Sequence, residues 1–187
     1  MTTDSLHPAL RISGALTSLN TLIGRGVAWL TLAMVLVTTY VVVLRYGFGK
    51  GSIAMQESVT YMHCAVFMLG AAMTLSRGGH VRVDIFYQHW SSRRRALVDL
   101  VGACLLLLPF AIFLISSSAD YVSQSWRIGE GSTEPDGLRI VYLLKTLIPV
   151  TGVMLGLQAI ADIIRNALLL AGHERSQDAD LHPRENI

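Results

Sequence analysis

Leu100–Ala119, with the sequence LVGACLLLLPFAIFLISSSA, is a run of twenty residues without a charged side chain. An α-helix rises 1.5 Å per residue, so a helix of this length spans about 30 Å, the thickness of the hydrocarbon core of a bilayer. Gly26–Leu44 and Ser58–Ser76 are uncharged runs of nineteen residues each, and Thr146–Ala161 is a run of sixteen. These four runs predict an all-α membrane protein with four transmembrane helices.

The composition of the whole chain supports the same fold class. Of the 187 residues, 52% are apolar and 15% are charged, whereas about 25% of an average soluble domain is charged. The shortest run reaches spanning length when Ile140–Leu144 extends it across Lys145, because a lysine side chain can snorkel to the membrane interface. This composition excludes a soluble enzyme, and a net charge of +2 gives no indication of nucleic-acid binding.

The runs divide the chain into three parts. Residues 1–23 form a predicted cytoplasmic N-terminal segment, residues 24–171 a four-helix transmembrane domain, and residues 172–187 a polar cytoplasmic tail. The predicted spans cover approximately residues 24–45, 54–76, 96–119 and 140–162. The first 24 residues have no compact apolar core before a small-residue cleavage site, so a signal peptide is not expected.

The distribution of basic residues predicts the orientation. Ten of the fifteen Lys and Arg residues lie on one side of the membrane, in or next to the N-terminal segment, the second connection and the C-terminal tail. Short cytoplasmic loops carry the excess of Lys and Arg, so both termini are predicted to be cytoplasmic. This topology places Cys64 and Cys104 at depths that differ by about 15 Å, too far apart for a disulfide, which needs Cα atoms within about 7 Å. We therefore expect two packing residues rather than a redox pair.

The second connection is predicted to contain a short amphipathic helix in the cytoplasmic interface. Two glycines at 78 and 79 precede a segment whose Ile85, Phe86, His89 and Trp90 follow helical spacing, with aromatic rings at headgroup depth. The arginines at 93–95 stand at the start of the third span and face lipid phosphates. The predicted interfacial anchors are His80, Arg82, Asp84, Phe86 and Trp90. An Arg82–Asp84 pair that fixes the loop explains these charges better than a catalytic cluster does.

Small and polar residues in and near the spans are candidates for helix contacts and contacts with other subunits. Small residues let helix backbones approach closely in lipid, which selects two faces, Gly70-Ala71 with Thr74, and Gly152 with Gly156. At the start of span two, Ser52 is a predicted N-cap. Glu57 is interpreted as a helix-end acid, as a partner for Arg45, or as a polar contact to another subunit. These residues (Gly70, Ala71, Thr74, Gly152, Gly156, Glu57 and Arg45) are the predicted subunit-interface candidates.

Pro109 and the third connection stand out for other reasons. Pro109, in the middle of span three, is expected to kink the helix or to free a carbonyl group. Residues 120–144 form the longest predicted segment outside the membrane and are the place where a soluble partner is most expected.

His63 is the only histidine well inside an uncharged run. An ionisable residue inside the membrane is a functional candidate, although a neutral histidine bonded to a carbonyl is an equally valid interpretation. A haem would need a second axial ligand on a facing helix. No Asp, Glu, Lys or Arg interrupts the first three runs, so the chain lacks the buried charges of a pump, a coupled transporter or a small multidrug exporter. The residues indicate an accessory membrane subunit, with a redox-complex anchor that uses His63 as haem or quinone ligand as the alternative.

An ordered set of short motifs resembles one known family. The motifs are Arg45-Tyr46-x-Phe48, Glu57, Leu69-Gly70-Ala71-Ala72, Gly79-His80-Val81-Arg82-Val83-Asp84, Ser125-Trp126 with Glu130, Gly137-Leu138, Tyr142-Leu143-x-Lys145 and Ile148-Pro149. In order and spacing, from about Gly24 to Arg165, the chain resembles the small membrane subunit (DctQ-like) of tripartite ATP-independent periplasmic (TRAP) transporters.

The resemblance implies a division of labour among three proteins in the bacterial inner membrane and periplasm. A periplasmic solute-binding protein captures an organic anion, commonly a carboxylate, and a large membrane subunit carries it inward with a sodium gradient. The small subunit packs against the fixed part of the large subunit within the lipid bilayer. It is not an enzyme and needs no cofactor, since sodium coupling belongs to the large subunit. Trp126 and Glu130 are the residues we expect to help in docking the binding protein.

Overall fold

The computed structural model describes residues 6–77 and 90–171, and the elements in those two ranges are all helical. Helix α1 comprises Leu6–Phe48, α2 comprises Ile53–Ser76, α3 comprises Ser92–Ile128 and α4 comprises Val141–Leu170. Each of the four is long and apolar enough to cross a membrane. The prediction of an all-helical protein with four spanning helices is confirmed.

Helices α1 and α3 extend furthest beyond the spans predicted for them. Helix α1 begins at Leu6, so most of the segment before residue 24 continues the first helix. Helix α3 extends through Ser116-Ser117-Ser118 to Ile128, where Gly129 ends it with a left-handed backbone at φ 58°. Glycine adopts this conformation without steric cost, and it is a common way to terminate a helix.

Helix α4 holds the bundle together, because it packs against α1, α2 and α3. The hydroxyl of Ser13 donates a 3.0 Å hydrogen bond to the carbonyl of Ala161, which places the start of α1 beside the final third of α4. We call this end of the bundle, with the start of α1 and the end of α4, the terminal end. The opposite end carries the connections 49–52 and 129–140 and is called the loop end.

The interior of the bundle is built mainly from small residues. Its central cluster consists of Ala72, Ala111, Met154 and Leu155. Gly152 is essential to this packing: a Cβ atom there would lie 2.8 Å from Cγ1 of Ile115 and 3.0 Å from the carbonyl oxygen of Ala111. Close backbone approach at small residues is typical of helices that associate in lipid. Most large apolar side chains face outward, as expected of a surface surrounded by hydrocarbon.

The ends of the helices are formed partly as the sequence predicts. Ser52 caps α2, and its hydroxyl oxygen accepts a hydrogen bond from the backbone N–H of Met55 at 3.4 Å. Ser91 occupies the corresponding position before α3, but its side chain makes no capping hydrogen bond. The carbonyl of Ser91 instead accepts from the N–H of Arg95, and the Arg95 side chain donates to the carbonyl of Trp90.

Pro109 is accommodated by a change of helix type. Residues Ala103–Leu107 form a π-helical turn, and the N–H of Leu108 donates to the carbonyl of Ala103. Proline has no N–H to donate and its ring collides with the carbonyl four residues earlier, so an α-helix is strained at this point. A wider turn with one additional residue relieves that conflict. The predicted perturbation therefore takes the form of a π turn just before the proline.

Candidate interaction surfaces

Glu57 connects the start of α2 to the connection between α3 and α4. One carboxylate oxygen accepts a hydrogen bond from the backbone N–H of Leu138 at 2.6 Å, and the other accepts from the hydroxyl of Ser132. The backbone N–H of Ser132 also donates to the carbonyl of Leu138 at 2.8 Å, so the two loop residues that bind Glu57 are hydrogen-bonded to each other. The sequence suggested a helix-end role, Arg45 or another subunit for this acid. The structure shows that it holds the connection at the loop end.

The absence of a side chain at Gly137 leaves room for the contact between Glu57 and Ser132. A Cβ atom at Gly137 would lie 2.9 Å from a carboxylate oxygen of Glu57 and 2.5 Å from the hydroxyl of Ser132. A side chain at this position would therefore displace the side chains of Ser132 and Glu57 from their present contact. Arg45, the predicted alternative partner, is exposed on the last turn of α1.

Glu130 is paired within the chain. Its carboxylate accepts a 2.5 Å hydrogen bond from the ammonium group of Lys145, which also lies 3.9 Å from the centre of the Tyr121 ring. The hydrogen bond from Lys145 stabilises the ionised form and lowers the pKa of Glu130. The same contact shows what Lys145 does near the start of α4. Its charge is neutralised by an acid and a ring face from the preceding segment.

Trp126 lies beside this ion pair. Its indole N–H donates to the hydroxyl of Thr146 at 2.9 Å, and its ring meets Tyr142 edge-on with centroids 4.6 Å apart. The side chain is nevertheless 51% exposed, so one side of the ring remains on the surface. Of the two predicted docking residues, Trp126 thus offers an exposed surface, while the carboxylate of Glu130 is already engaged by a lysine.

A second polar cluster lies between α1 and α4, toward the terminal end. Asn20 and Gln158 are both fully buried, and the amide nitrogen of Asn20 donates to the side-chain oxygen of Gln158 at 3.2 Å and to the carbonyl of Met154 at 3.1 Å. Gln158 in turn donates to Asp162, which also accepts from Arg165 at 2.9 Å. This chain of hydrogen bonds fixes the register of α1 against α4.

The two predicted small-residue faces have different surroundings. Gly152 and Gly156 pack against Ala111 of α3, so their face is covered within the chain. A Cβ atom at Gly70, by contrast, would meet nothing within 4 Å. Gly70, Ala71 and Thr74 line an open groove of about 690 Å³ between α1, α2 and α3. Its walls are almost entirely apolar.

His63 lies on the outward side of α2. Its side chain is exposed and, within the part of the chain that the structure describes, no hydrogen bond to its ring is found. Over residues 6–77 and 90–171 there is also no group of three His, Cys, Asp or Glu side chains placed to hold a metal ion. Cys64 and Cys104 are both free thiols.

The predicted interfacial helix falls largely outside the described residues. His80, Arg82, Asp84 and Phe86 lie in the segment 78–89, and only Trp90 among the predicted anchors belongs to the described part of the chain. Trp90 is half-buried, and its carbonyl accepts from Arg95 at 3.0 Å.

Comparison with known proteins assigns this bundle to a family. The model of the tripartite ATP-independent periplasmic transporters, DctQ component, matches residues 34–169, which include the last fifteen residues of α1, all of α2, α3 and the loop end, and all but the last residue of α4. The chain belongs to the DctQ family. DctQ proteins are components of transporters, so this chain is a transporter subunit and not an enzyme, and the redox-anchor alternative finds no support.

One curated DctQ relative extends the match over most of both chains. The C4-dicarboxylate TRAP transporter small permease protein DctQ of Vibrio cholerae serotype O1 is 27% identical over 174 aligned residues, covering 79% of this chain and 74% of the relative. No solved structure matches the chain. With four helices capable of spanning a bilayer and a transporter family, the chain is a multi-pass membrane protein.

Proposed function

We propose that this chain is the small permease subunit of a TRAP transporter in the bacterial inner membrane, where it binds and scaffolds a large membrane subunit. The DctQ family match over residues 34–169 carries the proposal. The excess of Arg at the terminal end supports a cytoplasmic location for both termini, with the loop end in the periplasm. The short amphipathic segment around residues 83–90 belongs to the same proposal, as an anchor in the cytoplasmic interface.

The proposed cargo is an organic anion, and a C4-dicarboxylate is the substrate class we favour. The support is the relative from Vibrio cholerae, whose name assigns it to a C4-dicarboxylate transporter. In this scheme a periplasmic binding protein delivers the anion, and the large subunit binds it together with sodium. The small subunit contributes no ligand to anion or sodium. Its role is to hold the fixed part of the transporter in the membrane, and no cofactor is proposed for it.

A pull-down followed by reconstitution tests this function. The tagged chain is purified from native membranes in mild detergent, its partners are identified by mass spectrometry, and the visible absorption spectrum is recorded. We expect a colourless complex with one large polytopic subunit. Soluble redox subunits, or a haem absorption band, would contradict the proposal.

Transport by the purified complex tests the finer points. Proteoliposomes that contain both membrane subunits should accumulate radiolabelled succinate only with an inward sodium gradient and added binding protein. Proteoliposomes that contain the large subunit alone are the control. Equal uptake without the small subunit would contradict a scaffolding role, and uptake without sodium or without binding protein would contradict the proposed coupling.

The loop end is the proposed contact for the binding protein. The exposed half of Trp126 gives it an aromatic surface, and aromatic residues are enriched at protein interfaces. Trp126→Ala, alone and with Glu130→Ala, should reduce transport at limiting binding-protein concentration and leave the membrane complex intact. Unchanged transport under that condition would exclude this docking surface.

A further inference from the structure

One face of α2 carries polar side chains outward at membrane depth. The residues follow helical spacing of four and three along one side of the helix, and we call them the α2 face: Gln56, Thr60, His63, Phe67, Gly70 and Thr74. All are exposed except Gly70, which is partly exposed and has open space above it. The α2 face is therefore not covered by the other three helices.

The position of His63 makes this face unusual for a surface covered by lipid. Helix α2 has 24 residues and is about 36 Å long, and His63 lies about 15 Å from its first residue, close to the middle of the bilayer. Within residues 6–77 and 90–171, no hydrogen bond is found for the side chains of Gln56, Thr60 or His63. Polar groups in hydrocarbon are costly without a partner, and they generally face protein or water.

The other outward faces at comparable depth show what a lipid-facing surface of this chain looks like. Helix α1 exposes Leu32, Val35 and Leu36, and α3 exposes Leu105, Leu106 and Phe113. The hydroxyl of Thr39, which is exposed on α1, is satisfied by the carbonyl of Val35 in its own helix. The Thr74 hydroxyl on the α2 face bonds in the same way to the carbonyl of Gly70. The feature that distinguishes the α2 face is His63, because the uncharged runs of α1 and α3 contain no histidine.

The α2 face is also continuous with the groove between α1, α2 and α3. Phe67, Gly70 and Thr74 belong to both, and Phe67 is 74% exposed. The groove provides an apolar concave surface, small residues allow a helix backbone to approach, and His63 and Thr60 provide hydrogen-bonding groups at its edge. These are the features that hold transmembrane helices together.

We propose that the α2 face, with the adjoining groove, is the docking surface for a transmembrane helix of the large membrane subunit. That helix packs against Phe67 over Gly70 and presents a polar side chain to His63 and Thr60. This inference rests on the proposed function, which supplies a polytopic membrane partner. A second copy of this chain and lipid are the other possible occupants, and the experiment below separates them.

Photo-crosslinking in the intact complex identifies the occupant. A benzophenone amino acid replaces Phe67, or Leu106 on α3 as the control; each of these side chains is 74% exposed. We expect the probe at position 67 to crosslink to the large subunit and the probe at position 106 to give no protein adduct. Crosslinks from position 67 to a second copy of the chain, or to lipid alone, would overturn the proposal, and so would crosslinks to the large subunit from position 106 alone.

A matched pair of glycine substitutions tests the same surface without a probe. Gly70→Leu and Gly26→Leu both add a side chain where nothing lies within 4 Å, one on the α2 face and the other on α1. Because bulk inserted into a packed contact is costly, Gly70→Leu should lower retention of the large subunit about tenfold. Gly26→Leu should leave retention unchanged, and both variants should reach the membrane at wild-type levels. Equal retention by the two variants would overturn the proposal.

His63 tests the polar part of the contact. His63→Leu should lower retention about threefold, the effect expected of one hydrogen bond between membrane helices, and His63→Gln should restore part of it. Equal retention by the wild type and both variants would exclude the polar contact. If the wild-type chain itself retains no large subunit, the proposed function fails. If the wild-type chain retains the large subunit but the crosslinks and variants give the results that contradict the proposal, the proposed function stands and only the docking surface is wrong.

Discussion

The loop end and the α2 face contain similar kinds of side chains in opposite situations. At the loop end, Glu57 holds Ser132 and Leu138, Glu130 holds Lys145, and the indole of Trp126 bonds to Thr146. On the α2 face, the side chains of Gln56, Thr60 and His63 make no hydrogen bond to the described part of the chain. The chain satisfies its polar groups where a loop must be fixed. On the α2 face, only the Thr74 hydroxyl among the four polar side chains makes a hydrogen bond within the described part of the chain, to the carbonyl of Gly70 in its own helix.

This difference separates residues that stabilise the chain from residues that would bind the large membrane subunit. Substitutions in the first group should change the free energy of unfolding of the isolated chain. Substitutions in the second group should leave that free energy unchanged and affect the complex instead. The glycines divide in the same way. Gly152 packs against α3 and belongs to the first group, whereas Gly70 has nothing within 4 Å of a Cβ atom and belongs to the second.

The largest effect on the isolated chain is expected for Glu57→Ala. The substitution removes the carboxylate that accepts hydrogen bonds from the Ser132 hydroxyl and from the backbone N–H of Leu138. It should lower the free energy of unfolding in detergent by about 3 kcal/mol, because hydrogen bonds to charged groups contribute more than neutral ones. Glu134→Ala, at an exposed position in the same connection, is the control and should change it by less than about 0.5 kcal/mol. Unfolding by titration with dodecyl sulfate measures both. Similar values for the two variants would show that Glu57 does not hold the loop.

The next effect compares one substitution at two glycines. Gly152→Ala brings a methyl group to within 3.0 Å of the carbonyl oxygen of Ala111 and should destabilise the isolated chain by about 2 kcal/mol. Gly70→Ala meets nothing within 4 Å and should be neutral or slightly stabilising, because alanine favours helix. The same unfolding titration applies. Destabilisation by Gly70→Ala would indicate that the α2 face is covered inside the chain.

A smaller effect on the free energy of unfolding distinguishes a polar side chain with a hydrogen-bond partner in the chain from one without. Asn20→Ala leaves the side-chain oxygen of Gln158 and the carbonyl of Met154 without this donor, and it should cost about 1 kcal/mol, as polar contacts between membrane helices do. Thr21→Val is the neighbouring control, since the Thr21 hydroxyl bonds only within its own helix. His63→Leu should not destabilise the isolated chain at all. A loss of stability in His63→Leu comparable to that in Asn20→Ala would mean that His63 has a partner within the chain.

The smallest effect concerns pH. The pKa of Glu130 is lowered in the folded chain by its hydrogen bond from Lys145, so the carboxylate contributes stability above its unfolded-state pKa. That contribution is lost as pH falls from the unfolded-state value through the lower folded-state value. The melting temperature of the wild type should therefore exceed that of Glu130→Gln between pH 6 and pH 8, and the gap should close under strongly acidic conditions. A gap that persisted unchanged at acidic pH would exclude the ion pair as its cause.

Periodicity and charge were sufficient for the architecture. The four uncharged runs predict four helices, and Ser52 caps α2 as its position before the helix suggests. These features depend on residues close together in the sequence and on the length that a bilayer requires. Ordered motifs around Glu57, Trp126 and Glu130 were also enough to indicate the family to which the chain belongs.

The partners of individual side chains were less accessible from the sequence. Glu57 and Leu138 are 81 residues apart, and Asn20 and Gln158 are 138 residues apart, so no local pattern connects them. A small-xxx-small motif such as Gly152 and Gly156 predicts close packing but does not say whether the neighbour belongs to the same chain. A polar residue in a long helix, such as Asn20, is a useful signal, since its burial requires a partner on another helix.

The π turn in α3 gives the helix a continuous contact line with α4. Buried residues recur every seven positions up to the first residue of the turn, at Ala96 and Ala103, and again after the turn, at Ala111, Ser118 and Ser125. The step from Ala103 to Ala111 is eight residues, and in an unbroken α-helix, at 100° per residue, the extra residue would rotate the two halves apart. Because the π turn absorbs that residue, the heptad phase is restored across Pro109. A helix of 37 residues thereby keeps one seam against its neighbour from end to end.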